Sequence, residues 1–322
     1  MGMENLSLLQ QPATAVPARK RSKWRLVVEQ RYLFLMSLPF VIWLFVFSYL
    51  PLWGWTMAFQ KFKPGRTFGE QQWVGLDNFV QLFQEPHFYM VLRNTLAMSF
   101  MGLAVGYTIP VVFAILLNEI RWSPFKRSIQ TISYLPHFVS WVVVAGIITK
   151  MLSTDGGIVN EILLALNLID QPIQFMAKGE WFWGIVTMSD LWKEMGWNSI
   201  IFLAAISGID NEQYEAAKVD GASRLRRMWH ITLPGIRPTL MVMLILSIGW
   251  LTSIGFEKQY LLGNSLVQDY SEVLDLYVLN YGINLGRYSF GTAIGIVNSL
   301  VAITLLLLSN RIFKRITNES VI

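Results

Sequence analysis

Six long apolar blocks dominate the pattern of hydrophobic and polar positions along the chain. Each is long enough to cross about 30 Å of hydrocarbon, which requires roughly 20 helical residues. The first apolar run is about twice as long as the apolar part of a signal peptide and precedes no small-residue cleavage site, so we expect it to remain as an anchor. The pattern predicts an all-α, polytopic membrane protein with six transmembrane helices, near residues 33–58, 90–118, 129–151, 182–208, 236–256 and 289–311.

The composition supports a membrane protein and excludes several other classes. Among 322 residues, 53% are hydrophobic and only 15% are charged, which is too little charge to cover two soluble domains. A cytosolic enzyme is therefore nearly excluded. The absence of cysteine removes thiol catalysis, disulfide frameworks and thiolate metal sites from consideration.

The distribution of charge predicts the orientation in the membrane. With a cytoplasmic N-terminus, the inner segments hold 17 of the 26 basic residues and 8 of the 21 acidic residues. Because basic residues are concentrated in cytoplasmic loops, both termini are expected in the cytoplasm. Residues 1–30 are then a basic, partly disordered tail on anionic lipid, with a nucleic-acid arm as the alternative, and 31–322 form the six-span domain.

Proline and small residues mark bends and close contacts within the predicted spans. Pro110 and Pro136 lie in mid-span, where proline is expected to kink a helix and provide a flexing point. Gly291, Gly295 and Ser299 recur every four residues on the last span, which favours close helix packing within the chain or with a second copy.

The connection between the fourth and fifth predicted spans has strong structural signals. Asp210 is placed to cap a helix that ends at Gly221, the residue type that accepts a left-handed backbone after a helix. A second short helix is predicted over residues 223–231. Pro234 and Pro238 then mark the point where the chain re-enters the membrane.

This helix pair has the shape of a plug for a groove on a partner protein. Small side chains at Ala216 and Ala217 allow close packing, and Tyr214 and Glu215 lie beside them. A basic stretch follows, consisting of Arg224, Arg226 and Arg227. The alternative is an amphipathic loop that only lies on lipid headgroups.

A longer motif in this connection resembles a known family. The motif consists of Glu215-Ala216-Ala217, Asp220-Gly221-Ala222 and then Ile231, Leu233, Pro234 and Pro238. It is similar to the E-A-A-x-x-D-G-A...I-x-L-P signature of the permease subunits of type I ABC importers, in which this segment is the coupling helix that docks into the ATPase. The resemblance implies a coupling loop over 210–235, with ATPase-coupling residues Tyr214, Glu215, Ala216, Ala217, Asp220, Gly221 and Ala222. Met228-Trp229 departs from the Phe of many members but stays apolar.

The resemblance extends to the carbohydrate-uptake branch of this family. The stretch WVGLDNF after the first span, which we expect to lie along the outer membrane surface, and YLP at 134–136 are similar to the maltose-transporter permeases. They resemble still more the permeases for polysaccharides and larger oligosaccharides, including the alginate importer. The implied partners are a second permease in a heterodimer, two copies of an ABC ATPase, a solute-binding protein, a saccharide and membrane lipid, with no nucleic acid.

Several catalytic and cofactor motifs are absent from the sequence. The chain has no G-x-x-x-x-G-K-[ST] phosphate loop, so ATP and Mg²⁺ are expected on a separate ATPase, with no cofactor bound by this chain. No clustered ligand set predicts a metal site, and the three histidines, His87, His137 and His230, are scattered. We therefore expect a transport subunit and not an enzyme.

A polar stripe in the fourth span predicts the translocation pathway. Asp190, Lys193, Glu194, Trp197 and Asn198 follow helical spacing, and ionisable groups within a span tend to face an aqueous cavity. Aromatic rings beside polar groups suit sugars, which stack on rings and accept hydrogen bonds. From the fifth and sixth spans we add Trp250, Ser253 and Asn298 as pathway residues. A structural ion pair of Lys193 and Glu194 with a partner span is the alternative.

These observations predict a permease of an ABC importer that works by alternating access in the bacterial cytoplasmic (inner) membrane. The expected cargo is an oligosaccharide or polysaccharide, neutral or acidic as in alginate. Import of a non-sugar solute is the alternative within the family. A secondary transporter or channel would need inverted repeats or a chain of intramembrane acids, and an intramembrane enzyme would need paired catalytic groups at depth; the sequence has neither.

Overall fold

A computed structural model describes residues 30–249, 251–252 and 254–317, without the side chains of 68, 312, 313 and 315–317. The predicted basic tail of residues 1–30 therefore lies outside the described residues, apart from Gln30. Trp250 and Ser253, two predicted pathway residues, also lie outside them. The chain divides between Gly54 and Trp55 into two compact units.

The described residues are mainly helical, with one two-stranded antiparallel pair, β1 (Gln60–Lys61) and β2 (Gln72–Trp73). In chain order the α-helices are α1 (Arg31–Leu44), α2 (Asp77–Gln84), α3 (Pro86–Asn118), α4 (Ser123–Tyr134), α5 (Trp141–Met151), α6 (Ile158–Ala165), α7 (Gly179–Ser207), α8 (Asn211–Val219), α9 (Arg224–Arg227), α10 (Leu233–Gly235), α11 (Arg237–Gly249), α12 (Glu257–Leu262), α13 (Gln268–Ser271), α14 (Leu274–Tyr277) and α15 (Tyr288–Thr317). The 3₁₀ turns are Leu50–Phe59, Phe68–Glu70, Leu135–Phe138 and Phe175–Ala177, and the π-helical segments are Phe45–Tyr49, Met228–Thr232 and Val278–Asn284.

Among the described residues, three helical stretches are long and apolar enough to span a membrane: Arg31–Phe59, Pro86–Asn118 and Tyr288–Arg311. Two bent pairs raise the number to five if each pair is one span. Helix α7 has the length of a span, but every 18-residue stretch of it contains Asp190, Lys193 and Glu194. The all-α membrane architecture is thus confirmed, and the number of six spans stays a prediction.

The third predicted span is broken into two helices. Ser123–Phe138 and Trp141–Met151 meet at an angle of 105°. The break follows the 3₁₀ turn Leu135–Phe138, in which Pro136 cannot donate a backbone hydrogen bond. It is much larger than the kink predicted at Pro136. In contrast, α3 continues through Pro110 as one helix.

The fifth predicted span also differs from the prediction. Its regular helix α11 ends at Gly249, well before residue 256. The helical arm that precedes it runs from Arg224 through the π-helical segment to Gly235, beyond the predicted end at Ile231, and then bends by 62° into α11. Pro234 therefore lies inside the arm, in the first turn of α10, where its missing N–H is tolerated.

The core of the unit from Trp55 onward is built around α3, α7 and α15. Asn94 of α3 is fully buried, and its side-chain nitrogen donates to the backbone oxygens of Asp269 and Glu272, 3.0 Å away in each case. These bonds fix the segment 257–288 to α3. Helix α2, predicted to lie along the outer surface, buries Leu82 in an apolar cluster with Tyr277 and other side chains.

Two glycines permit close approach of backbones. A Cβ at Gly196 of α7 would lie 2.1 Å from the backbone oxygen of Ser133 on α4, and a Cβ at Gly291 would lie 2.6 Å from Cα of Gly282. Gly291 therefore packs within the chain, as one of the two predicted readings requires. Gly295, the next residue of that small-residue ridge, has no neighbouring atom within 4 Å of an added Cβ.

We predict that Gly196→Ala lowers the thermal unfolding temperature of the purified protein, because the methyl group forces α4 away from α7. Overpacking of this kind costs roughly 1–3 kcal/mol. Gly184→Ala on the same helix is the matched control, since an added Cβ there meets nothing within 4 Å. Equal melting temperatures for the two variants would contradict the close contact.

Candidate functional site

A central cavity of about 470 Å³ lies between α3, α7, α11 and α12. Apolar side chains, including Met98, Leu103 and Leu246, form most of its wall. Its polar lining consists of Ser99, Tyr107, Thr187, Asp190, Glu194, Asn198, Ser247, Lys258 and Gln259. A mostly apolar cavity with a few placed polar groups is typical of a site for a small or extended solute.

The structure brings together three of the predicted pathway residues. Asp190, Glu194 and Asn198 of α7 all line the central cavity. Trp197 lines an adjoining cavity of about 310 Å³ that shares Asn198 with the first. Lys193 is buried and lines neither cavity.

An ion pair closes one side of the central cavity. Lys258 Nζ of α12 lies 2.9 Å from Asp190 Oδ1, and the same ammonium lies 5.7 Å from the ring centroid of Trp141. No sequence pattern pointed to Lys258, because it falls in a segment predicted as an outer loop and pairs with a residue far away along the chain. A charge at Asp190 is thus compensated within the chain.

His137 connects the stripe of α7 to the turn between α4 and α5. Its Nδ1 lies 2.7 Å from Glu194 Oε2, and its ring stacks on Trp197 with centroids 4.3 Å apart and an interplanar angle of 1°. Lys193 Nζ donates to the backbone oxygen of His137 at 2.7 Å and to Glu194 Oε1 at 3.0 Å. The Lys193–Glu194 pair therefore exists, and its partners belong to this chain.

Of the pathway residues predicted in the fifth and sixth spans, the structure describes Asn298. Asn298 of α15 does not line the central cavity, and its side-chain nitrogen lies 3.4 Å from the backbone oxygen of Thr252. Trp250 and Ser253 lie outside the described residues. Ser247, by contrast, lines both cavities. The roles of all these residues in transport stay predictions.

The 210–235 hairpin begins and ends its first helix where the sequence predicts. Asp210 Oδ1 accepts a hydrogen bond from the backbone nitrogen of Glu212 at 2.9 Å, which caps α8. Gly221 has φ +74°, a left-handed conformation that favours glycine. The Ala222 nitrogen then donates to the Ala217 oxygen at 2.9 Å and completes the C-terminal cap.

The two arms of the hairpin are held together, and its tip is exposed. Tyr214 OH lies 2.9 Å from the hydroxyl oxygen of Thr232, which is buried. At the tip and along the second arm, Val219, Leu225 and Trp229 expose 88%, 68% and 66% of their surface. Apolar side chains this exposed are typical of a surface that a partner covers.

The segment 257–288 contains groups with shifted pKa values. Burial raises the pKa of the Asp275 carboxyl, and the hydrogen bond from the Gly255 N–H, 2.8 Å from Asp275 Oδ2, opposes that rise. Burial also raises the pKa of Tyr277, and its 2.7 Å hydrogen bond to Glu85 adds to the effect. Across the part of the chain that the structure describes, no three His, Asp or Glu side chains gather as metal ligands would.

Comparison with known proteins gives a family match over most of the chain. Residues 106–318 match the model of a family described as the binding-protein-dependent transport system inner membrane component. The polygalacturonan/rhamnogalacturonan transport system permease protein YteP of Bacillus subtilis is 42% identical over 316 residues, which cover 97% of this chain and 98% of that protein.

Solved structures are similar over almost the same length. One chain of a bacterial ABC transporter involved in the import of the acidic polysaccharide alginate superposes with a TM-score of 0.83 at 38% identity, covering 91% of this chain and 99% of that one. A chain of a bacterial alginate ABC transporter in complex with an alginate pentasaccharide-bound periplasmic protein gives a TM-score of 0.84 at 37% identity, covering 93% and 99%.

We predict that Asp190 and Lys258 are energetically coupled. Lys258→Met and Asp190→Asn should each lower the melting temperature of the purified protein, and the double variant should lose less than the sum. The coupling energy expected for a partly exposed pair is about 1 kcal/mol. Strictly additive losses in this double-mutant cycle would mean that the ion pair contributes nothing.

Proposed function

The chain belongs to the family of binding-protein-dependent transport system inner membrane components, and we propose that it is the permease subunit of an ATP-driven saccharide importer. The observation that carries this proposal is the whole-length likeness to the alginate transporter chain, at a TM-score of 0.83 over 99% of that chain. The cargo proposed is an oligosaccharide or polysaccharide. The names of the alginate transporter and of YteP favour an acidic polysaccharide.

The central cavity and its neighbour are the proposed pathway. Trp197 offers an exposed aromatic ring, on which a sugar C–H face can stack, and Asp190 and Asn198 offer hydrogen-bonding groups to hydroxyls. Lys258 is the one cation among the described residues of the lining, in position to meet a carboxylate of an acidic sugar. Lys193, Trp250, Ser253 and Asn298 stay in the proposed pathway set, but no contact described above supports them.

The 210–235 hairpin is the proposed coupling element. Its exposed tip offers a surface for a groove on a separate ATPase, and the Tyr214–Thr232 hydrogen bond makes its two arms move together. Movement of the hairpin would pass through the arm Arg224–Gly235 into α11, whose Ser247 lines the central cavity. ATP-driven approach of two ATPase copies would thereby switch the pathway outward, and hydrolysis would restore the inward state.

The proposed assembly contains this chain, a second permease, two ATPase copies and a solute-binding protein outside the membrane. The crystal structure with a periplasmic protein bound to the alginate transporter supports the binding-protein partner. The location is the bacterial inner membrane, with both termini in the cytoplasm. We propose that the chain itself catalyses no reaction and binds no cofactor, with ATP and Mg²⁺ held by the ATPase.

Uptake by the reconstituted assembly tests this function. Proteoliposomes with both permeases and the ATPase should take up a labelled acidic oligosaccharide only with ATP and the binding protein, and uptake should survive collapse of the proton gradient. Uptake driven by an ion gradient without ATP would contradict the proposal. Uptake of an amino acid or peptide but of no saccharide would leave an ABC importer of a non-sugar solute.

We predict that Trp197→Ala lowers the saccharide uptake rate about tenfold, because the ring no longer offers a stacking face. Trp192→Ala is the control, since Trp192 is an exposed tryptophan of the same helix that lines neither cavity. Both variants should assemble with the partner subunits. Equal uptake rates for the two variants would argue against the placement of the pathway.

We predict that Gly221→Val nearly abolishes the stimulation of ATPase activity by the loaded binding protein. A β-branched residue is strained at φ +74°, so the hairpin tip cannot keep its shape. Gly221→Asn should retain more stimulation, because Asn tolerates the left-handed conformation. Loss in both variants would assign the requirement to a partner that touches the bare backbone, and normal stimulation in Gly221→Val would contradict coupling through the hairpin.

A further inference from the structure

A second polar cavity, of about 440 Å³, lies between the hairpin and the inner ends of α3 and α7. Three cations line it: Arg121 after α3, Lys218 on the first arm of the hairpin and Arg227 on the second arm. Tyr214 and Asn211 add hydrogen-bonding groups, and Glu119 is its one acidic side chain. We call this space the basic cavity.

The three cations of the basic cavity are not neutralised within the described part of the chain. None of them has a carboxylate oxygen within 4.0 Å among the described ion pairs. Arg227 makes one long hydrogen bond, 3.5 Å from Nη1 to the backbone oxygen of Ala222. Three positive charges against one negative charge create a field that attracts an anion.

The basic cavity shares only Tyr214 with the predicted ATPase-coupling residues, and its other described lining residues lie outside that set. Asn211, Tyr214 and Lys218 recur at three- and four-residue intervals, so they share the face of α8 that lines the cavity. Ala216 and Val219 lie on another face and are exposed. One helix thus presents a basic face to the bundle and a different face to the outside.

The position of the basic cavity matches the level of lipid headgroups. It is lined at the inner end of α3, the longest apolar span, and at the end of α7. Just beyond α3, the rings of Trp122 and Phe125 stack with centroids 6.1 Å apart and are 68% and 49% exposed. Exposed aromatic residues at the end of a span are typical of the membrane interface.

Helix α3 and the second arm of the hairpin, which both border the basic cavity, also line an apolar cavity of about 380 Å³. Leu116 of α3 and Met228, Trp229 and Leu233 of the second arm form part of its wall. A lipid acyl chain can pack against such an apolar wall, whereas a free phosphate ion makes no favourable contact with it. This combination favours a lipid over a soluble anion.

We propose that the basic cavity binds the phosphate of an anionic phospholipid, held by Arg121, Lys218 and Arg227. The lipid would connect the inner end of α3 to both arms of the hairpin and so restrain the hairpin from the membrane side. The inference rests on the proposed orientation, in which these residues face the cytoplasmic leaflet. The cytoplasmic leaflet carries anionic lipids, and its negative surface potential attracts clusters of basic residues.

Lipid retention by the purified full-length protein tests the proposal. Detergent-solubilised wild type would be titrated with phosphatidylglycerol or phosphatidylcholine, and bound lipid would be counted by native mass spectrometry. Arg121→Gln, Lys218→Gln and Arg227→Gln should each weaken phosphatidylglycerol binding about fivefold and leave phosphatidylcholine binding unchanged. Arg224→Gln is the matched control, because Arg224 is exposed on the same hairpin and does not line the basic cavity.

Three results would overturn the proposal. Equal weakening by Arg224→Gln would mean general attraction to a basic surface. Binding of inorganic phosphate that depends on the three cations, without retention of phosphatidylglycerol, would mean a soluble anion. Unchanged lipid retention together with lost ATPase docking in the same variants would mean that an ATPase carboxylate fills the cavity. Lipid binding is measured without ATPase or saccharide, so its failure leaves the proposed transport function intact.

Discussion

This structure depends on one constraint, the free-energy cost of placing charged side chains on a helix long enough to span a membrane. Helix α7 carries Asp190, Lys193 and Glu194 within five residues, and a membrane helix cannot keep such groups unpaired. Each finds a partner inside the chain: Asp190 meets Lys258, Glu194 meets His137, and Lys193 meets the His137 backbone. The surrounding elements are arranged so that these partners reach α7.

The irregular elements of the fold supply those partners. The 105° break after the turn Leu135–Phe138 brings His137 against α7, and α12 brings Lys258 to the same helix from the segment 257–288. Trp141, which begins the helix after the break, lies near both ammonium groups, 5.9 Å from Lys193 Nζ and 5.7 Å from Lys258 Nζ. Without the break and α12, Asp190 and Glu194 would line the central cavity without these partners.

Local sequence patterns predicted the long helices and the helix cap of the hairpin, because neighbouring residues determine both. The apolar blocks predicted the long helices α3, α7 and α15, and the Asp210 cap and Gly221 predicted the first helix of the hairpin almost to the residue. Contacts across long separations were not visible: Lys258 lies 68 positions from Asp190, and His137 lies 57 positions from Glu194. A charged residue in the fourth span implies that a partner exists somewhere, but spacing along one helix cannot say where.

The stacking of His137 on Trp197 also affects how tightly the proposed pathway can hold a sugar. The His137 ring already covers one face of the Trp197 indole, with ring centroids 4.3 Å apart. A sugar can therefore stack on Trp197 only by displacing the imidazole or by using the opposite face. In the proposed pathway, this competition would shorten the time that a sugar unit stays on Trp197. A pathway that must release each unit of a long polysaccharide before the next one enters benefits from an aromatic ring that binds each unit weakly.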